Sequence, residues 1–321
     1  MAKLGLPIKI TPTRVELGLR CHRKHVLTDL LGRAKYRSPS LEFGSVIHSG
    51  VSALWLNRKQ STQPHWSIPL EQEWDKRFVK NPDISTESVS LAMANGMMEY
   101  YDLNAKLAGG LGGEEDGWKL VDVEQRFEVP IQIDPISQII ISFQCDRIVA
   151  HEDGRLAIVD TKTAARLDSR WDKQWEMSIQ MKLYRLLVQT VFDREDVIVI
   201  VEGVKKHVPS ELRYVMCPEW STKQLGEALY MAKSVAARDH DLLVKGVGYE
   251  PWDPDRKPIL TTRSKEELEQ LAVAYTLPNY GECFSYNVEC PFRQICIADV
   301  DERVGILRGE YFEIPEEEET Y

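Results

Sequence analysis

The sequence predicts an α/β fold, on three observations. Helical spacing of apolar residues runs through the first hundred positions. Near Trp118 the pattern shortens to a period of two over three successive segments, and a long amphipathic stretch then leads into the apolar run VIVIVEGV from residue 197. Helices, a three-strand meander, a helix and a further strand are the order expected of a sheet covered by helices.

Taken in order, Thr13 is positioned to cap a helix through Val15, Leu17 and Leu19, and a second apolar stripe spans Leu41 to Leu56. Further helices are expected near 70–80 and 86–107. Gly109, Gly110, Gly112 and Gly113 break the pattern, and with no following Gly-Lys-Ser/Thr they read as a loop rather than a phosphate cradle. KLVDVEQRFEV, QIIISFQCDRIVA and RLAIVD are then three strands, mostly antiparallel, with turns at Asp134-Pro135 and Asp153-Gly154. A helix from Ser169 to Phe192 carries Trp175, Ile179, Leu183, Leu186 and Leu187 at helical spacing. A strand at Leu212–Met216, a helix from Ser221 to about Lys245 and an irregular stretch with Pro251, Pro254 and Pro258 follow. The expected organisation is one integrated domain: a helical region over 1–117 contributing Cys21 and His48, a core over 118–205, a C-terminal region with the cysteine cluster over 206–300, and an acidic tail over 301–321.

Composition bounds the function. With 43% hydrophobic and 28% charged residues the chain is an ordinary globular one, and no apolar run approaches the roughly 20 residues of a membrane helix. A cytoplasmic protein with no membrane partner is the expectation. Forty basic against fifty acidic residues, a net charge of -10, argue against a protein that coats nucleic acid over its whole surface, while leaving room for a local basic groove. The run Glu316-Glu317-Glu318-Glu319 reads as a solvated end.

The chemistry concentrates on the strands. Glu124, Asp146 and Asp160 fall on the first, second and third, where neighbouring strands bring carboxylates together. Converging acids call for a divalent cation, and hard oxygens suit Mg²⁺ or Mn²⁺. Lys162, two residues beyond Asp160, shares its strand face and could position water or stabilise charge developing at phosphorus. Gly44 and His48 lie four apart on a helix, as do Gln180 and Tyr184. Gly44 would admit a close neighbour, and Gln180 and Tyr184 present an amide and a phenol able to touch phosphate or a base edge.

Gly44-x3-His48, Asp146, Asp160-Thr161-Lys162 and Gln180-x3-Tyr184, in that order, resemble the RecB-family branch of the PD-(D/E)XK nucleases over about residues 40–200. The resemblance implies a restriction-endonuclease-like core, a mixed central sheet flanked by helices, that cuts phosphodiesters with a divalent metal. It implies that His48, Asp146, Asp160 and the Thr161 carbonyl bind that metal, that Lys162 serves catalysis, and that Gln180 and Tyr184 support DNA placement, with Glu124 a weaker addition. One departure is visible: the family often has Gly three residues before the first acid, where this chain has Phe143.

Six cysteines in such a chain are expected to stay reduced, with Cys145 and Cys217 simply buried. Cys283, Cys290 and Cys296 stand within fourteen residues, and Cys21 in LRCHRKH is the candidate fourth thiolate for zinc or an iron-sulfur cluster. Iron-sulfur members of this nuclease branch hold a [4Fe-4S] cluster with one cysteine before the core and three after it, so the resemblance implies a cluster, with Zn²⁺ the alternative. The first gap, Cys283-x6-Cys290, is longer than the usual Cys-x2-Cys, and Asn287 stands where the middle cysteine would fall.

Arg20, His22, Arg23, Lys24 and His25, with Arg33, Lys35 and Arg37, form the densest basic stretch and are a candidate DNA entrance. With no Walker motif there is no motor, so unwinding is left to a partner such as a helicase, an annealing protein or an integrase. The expected function is a metal-dependent DNA exonuclease acting at ends or single strands in recombination, repair or DNA processing. The alternative is a non-catalytic or weakly catalytic DNA-binding scaffold subunit of a larger recombination or CRISPR adaptation complex.

Overall fold

The computed structural model describes residues 8–34, 38–60, 64–107, 117–132, 138–248, 259–276, 278–279 and 290–313. The glycine loop at 109–113, the Asp134-Pro135 turn, Pro251, Pro254 and Pro258, Cys283 with Asn287, Lys35, Arg37 and the acidic run at 316–319 lie outside the described residues. Two compact units are formed. The first comprises Met1–Tyr36, Glu128–Ser142 and Gly226–Tyr321, and the second Arg37–Phe127 and Phe143–Leu225.

Strand β1 (Ile8–Ile10) leads into helix α1 (Pro12–Arg20). Its cap is Thr11, not Thr13: the Arg14 N–H donates to the Thr11 hydroxyl at 3.2 Å. Pro12 moves the start two residues earlier, because a residue without an N–H loses nothing at the first helical position. Helix α2 (His22–His25) and a wider turn over Val26–Leu30 precede the two-residue strand β2 (Arg33–Ala34). Next come α3 (Pro39–Gln60), α4 (Ser67–Trp74) with a wide turn over Asp75–Val79, and α5 (Leu91–Leu107). Helix α5 opens at 91 rather than 86 because the Ser90 hydroxyl accepts the Met93 N–H at 3.1 Å and stops the helix there.

The three predicted strands are β3 (Trp118–Gln132), β4 (Gln138–His151) and β5 (Leu156–Ala164). The expected long helix that follows is broken into α6 (Ser169–Gln174), a tight turn over Trp175–Met177, and α7 (Ile179–Phe192). Ser178 causes the break: it is extended, at φ -62° and ψ 122°, and its hydroxyl caps α7 by accepting the Met181 N–H. Strands β6 (Val197–Lys205) and β7 (Leu212–Met216) follow, then α8 (Thr222–Leu243), the hairpin of β8 (Val244–Gly248) and β9 (Ile259–Thr262), helices α9 (Lys265–Tyr275), α10 (Arg293–Ile297) and α11 (Val300–Glu310), and β10 (Phe312–Glu313).

In the second unit β5 is flanked by β4, antiparallel, and by β6, parallel, with β7 antiparallel to β6 and β3 paired to β4. The sheet is therefore mixed, and the parallel β5–β6 pair requires the long crossover that α6 and α7 supply. Leu156–Val159 are all buried, as a strand covered on both faces must be. Phe43, Ile47, Trp55, Met97, Met98 and Tyr101 from α3 and α5 pack in one cluster of this unit, with Val123 and Val204 from the sheet. The first unit has its own core, in which Val26, Leu27, Ala272, Phe292, Ile295 and Leu307 pack together and β1 lies parallel to Ile139–Ile141.

Among the described residues no helix is long and apolar enough to cross a membrane.

Candidate active site

The paired register of β4 with β5 runs from Ala150 opposite Leu156 to Arg147 opposite Val159. At the next position the acids begin. The Thr161 N–H donates to Asp146 Oδ2 at 2.7 Å, so a carboxylate from β4 takes up a backbone donor of β5. On β5, Asp160 is 2% exposed, and the Lys162 ammonium sits 2.8 Å from its Oδ2 and 3.1 Å from its Oδ1. Two residues apart on a strand, these side chains share a face as the spacing predicted. His48 on α3 completes this edge, with Nδ1 3.5 Å from Asp146 Oδ2.

Gly44 lies one turn before His48. A Cβ there would stand 3.2 Å from Thr163 Oγ1, so the glycine does permit close approach of α3 to β5, against a side chain rather than backbone.

Glu124 belongs to the same group. Ser52 Oγ and Gln144 Nε2 donate to its two carboxylate oxygens. Its backbone is left-handed, φ 55°, a conformation costing a non-glycine residue about 1 kcal/mol or more and tolerated where the surroundings impose it. Burial first, then the negative charge of Asp146, push the Glu124 carboxyl up. Asp160 is pushed up by burial, with Asp146 adding to the effect and Lys162 opposing it. Each acid therefore feels Asp146, and a single ammonium faces the set.

Gln180 and Tyr184 on α7 are brought to each other and to this site. The Gln180 amide donates to the Tyr184 hydroxyl at 3.0 Å, and both side chains are buried. Burial, then the charges of Asp160 and Asp146, raise the Tyr184 phenol well above its ordinary value. Phe143, where the resemblance led one to look for glycine, packs its ring 5.0 Å from Phe127 and 6.0 Å from Tyr184. The aromatic fills the site's base and β4 continues through it unbroken. Cys145 and Cys217 are buried as expected, and burial pushes both thiols up, Cys217 to about 12.

The opposite face of the same strands carries residues that sequence reasoning missed. Glu202 Oε2 on β6 accepts from Arg147 Nη2 at 2.5 Å, from Tyr101 Oη at 2.8 Å and from Thr161 Oγ1 at 2.9 Å. Trp55 Nε1 donates to Tyr101 Oη at 2.8 Å, and the Arg147 guanidinium lies 4.6 Å from the Trp55 ring. Arg147 and Glu202 are 1% and 0% exposed in their side chains. The available signal was Glu202, a lone acid within VIVIVEGV, which a buried strand admits only with a partner.

In the first unit, Cys21, Cys290 and Cys296 line one small cavity together with Arg23, Lys24 and Phe292. Burial raises the Cys290 thiol, Lys24 pulls it down, and Cys21 and Cys296 push it up, as neighbouring thiols do. The N-terminal cysteine thus meets two of the three C-terminal ones, while Cys283 lies outside the described residues. Within the basic stretch around Cys21, two of the cations are internal rather than solvent-facing. Arg23 is buried and donates to the Thr276 carbonyl at 2.6 Å, and His25 is clasped between Asp29 at 2.7 Å and Asp239 at 2.8 Å. Burial, with Arg238 nearby, lowers His22 to about 4, and Arg20 pairs with Glu16. Arg23 and His25 thus serve local packing.

A model of the PD-(D/E)XK nuclease superfamily matches residues 9–297. The chain belongs to this superfamily. It is a nuclease by family, with the α/β fold and helix-flanked mixed sheet of that group and DNA as the implied substrate class. Among solved structures it is similar to a protein from Eubacterium rectale described as "Putative exonuclease", at 16% identity and a TM-score of 0.46, covering 72% of this chain and 79% of that one. Another, SSO0001, matches at 11% identity and a TM-score of 0.34, covering 74% and 79%. No curated protein matches the chain significantly.

Nucleases of this superfamily typically use Mg²⁺ or Mn²⁺. Among the described residues no three His, Cys, Asp or Glu side chains close into a finished metal cage. The donor set nevertheless fits such an ion in kind. Glu124, Asp146 and Asp160 are oxygen donors, and the charge of Asp146 adds to the proton affinity of the other two, an excess of negative charge that a hard dication would relieve.

Proposed function

We propose that this nuclease is a metal-dependent DNA exonuclease that hydrolyses phosphodiesters at ends or in single strands, in recombination, repair or DNA processing. One observation supports the reading above others: Asp146 accepts the backbone N–H between Asp160 and Lys162, tying the acid of one strand to the acid and ammonium of the next. In this reading His48, Asp146, Asp160 and the Thr161 carbonyl would hold the divalent cation. A bound Mg²⁺ or Mn²⁺ supplies the Lewis acidity that phosphodiester hydrolysis requires.

The chain's own groups have separate tasks. Lys162, held against Asp160, orients water at the phosphorus and offsets charge developing on its oxygens. Gln180 and Tyr184, being buried, act by positioning the floor of the site. Glu124, with both oxygens already engaged by Ser52 and Gln144, holds its place beside Asp146.

Cys21, Cys283, Cys290 and Cys296 are proposed to bind a [4Fe-4S] cluster, with Zn²⁺ as the alternative. The support is the shared cavity of Cys21, Cys290 and Cys296 and the softness of thiolate ligands.

Protein purified without oxygen is assayed on end-labelled single- and double-stranded DNA with Mg²⁺ or Mn²⁺, beside Lys162→Ala, and its iron and zinc are measured. Metal-dependent shortening of the label, lost in the variant, is the expected result. Internal cuts would replace exonuclease by endonuclease action. An absence of cutting on every DNA would leave the scaffold role, and zinc in place of iron would replace the cluster.

A further inference from the structure

Gly203 on β6 is the register partner of Lys162 on β5, so the two positions face the same side of the sheet. A Cβ at Gly203 would stand 2.6 Å from both Leu167 Cδ2 and Trp171 Cη2 and 2.9 Å from Trp171 Cζ2. The missing side chain is what lets the segment after β5 fold back onto the sheet directly beside Lys162. Leu167 and Trp171 are buried there, and Trp175 meets Trp171 edge to face at 5.5 Å.

This segment carries Arg166, Arg170 and Lys173, all exposed. Its two carboxylates are already engaged: Asp168 accepts the N–H groups of Arg170 and Trp171 at 3.0 Å each, and Asp172 takes the Arg213 guanidinium at 2.7 Å. No hydrogen bond from a described residue engages the three cationic head groups; Asp168, held down first by its backbone donors, also feels the charges of Arg166 and Arg170. Arg23 and His25 of the basic stretch near residue 20 are internal, whereas this segment directly follows the strand that carries Asp160 and Lys162.

We infer that the segment Arg166–Lys173, seated on Gly203 beside Lys162, is the surface that grips the phosphate backbone of the substrate strand next to the bond being cut, through Arg166, Arg170 and Lys173. The inference rests on the nuclease reading and adds where the polyanion lies. Three exposed cations on a buried aromatic seat suit sequence-independent backbone contact, since each phosphate neutralised releases counterions.

The test is the triple variant Arg166→Gln/Arg170→Gln/Lys173→Gln, beside a control, Arg155→Gln/Arg194→Gln, in which cations preceding the opposite ends of β5 and β6 are removed. Binding of a labelled single-stranded oligonucleotide is followed against salt in EDTA, and cleavage kinetics with Mn²⁺. For the triple variant the slope of log K against log salt should shrink by about 2, at about 0.7 per phosphate contact on a single strand. KM should rise about tenfold or more with kcat within about twofold, and the control should behave as wild type. Gly203→Ala, which displaces the seat without removing charge, should also raise KM while leaving the charges in place. Wild type that cuts DNA, with slope and KM unchanged in the triple variant, overturns this inference alone. Wild type that neither binds nor cuts DNA overturns it together with the nuclease reading.

Discussion

Neighbouring residues on two strands are divided between two kinds of charge. Arg147 and Thr161 enter a buried network in which a guanidinium, two hydroxyls and a carboxylate meet on Glu202. Asp146 and Asp160, each one position earlier, face the other way into a set of acids in which burial and the charge of Asp146 push Glu124 and Asp160 up, with the Lys162 ammonium opposing at Asp160. The first arrangement pairs its guanidinium and carboxylate charges internally. The second has an excess of carboxylates, the setting in which the proposed divalent cation would bind. Strand alternation alone separates the face that holds the sheet together from the face that can react.

The strongest challenge to that division is Asp160→Asn. Cleavage should fall by about a hundredfold or more, because the oxygen donor and the partner of Lys162 are lost. Stability by denaturant unfolding should change by less than about 1 kcal/mol, since a buried acid at odds with its neighbours is removed. A large loss of stability would place Asp160 with the structural charges instead.

Glu202→Gln tests the other face. It leaves the Arg147 guanidinium buried without its counter-charge, and a loss of about 3–5 kcal/mol is expected in the same unfolding experiment. A variant as stable as wild type would mean that the network contributes shape rather than charge balance.

His25 sharpens the comparison, because its balanced cluster contains a cation that titrates. Burial alone would lower its pKa, but the hydrogen bonds and charges of Asp239 and Asp29 raise it to about 9, against about 6.5 in the unfolded chain. A raised folded-state pKa stabilises fully below 6.5 and loses that stabilisation as pH rises through 9. A loss of about 3 kcal/mol across that window is expected, provided His25→Gln is used to subtract the rest of the protein's pH dependence. A window of the same depth in the variant would remove His25 as its source.

Gly44→Ala should have the smallest effect. Helix propensity favours alanine by up to about 1 kcal/mol, while a Cβ at 3.2 Å from Thr163 Oγ1 opposes it. Net stability should shift by no more than about 1 kcal/mol, and a readable fall in cleavage would report that α3 had moved His48 away from Asp146.

Strands were legible where one physical pattern dominated. The β3–β5 meander and β6 stand where alternation and apolar runs placed them. Boundaries that depended on a single hydroxyl, at Thr11, Ser90 and Ser178, were displaced, because capping by one side chain competes with a periodic pattern and wins locally. Arg23 and His25 looked like a surface patch because charge is visible in sequence while burial is not.

From sequence alone the site's main groups follow: Asp160 and Lys162 must share a face, His48 must lie one turn after Gly44, and Gln180 one turn before Tyr184, since helix and strand periods are set by backbone geometry. Tertiary structure decided the rest. It alone determined that Gln144 and Ser52 would hold Glu124, that Glu202 would pair with Arg147, that Cys21 would meet Cys290 and Cys296, and that Trp171 would settle on Gly203. These partners are tens to hundreds of residues apart, and which of many possible long-range contacts forms depends on the register and packing of the whole chain.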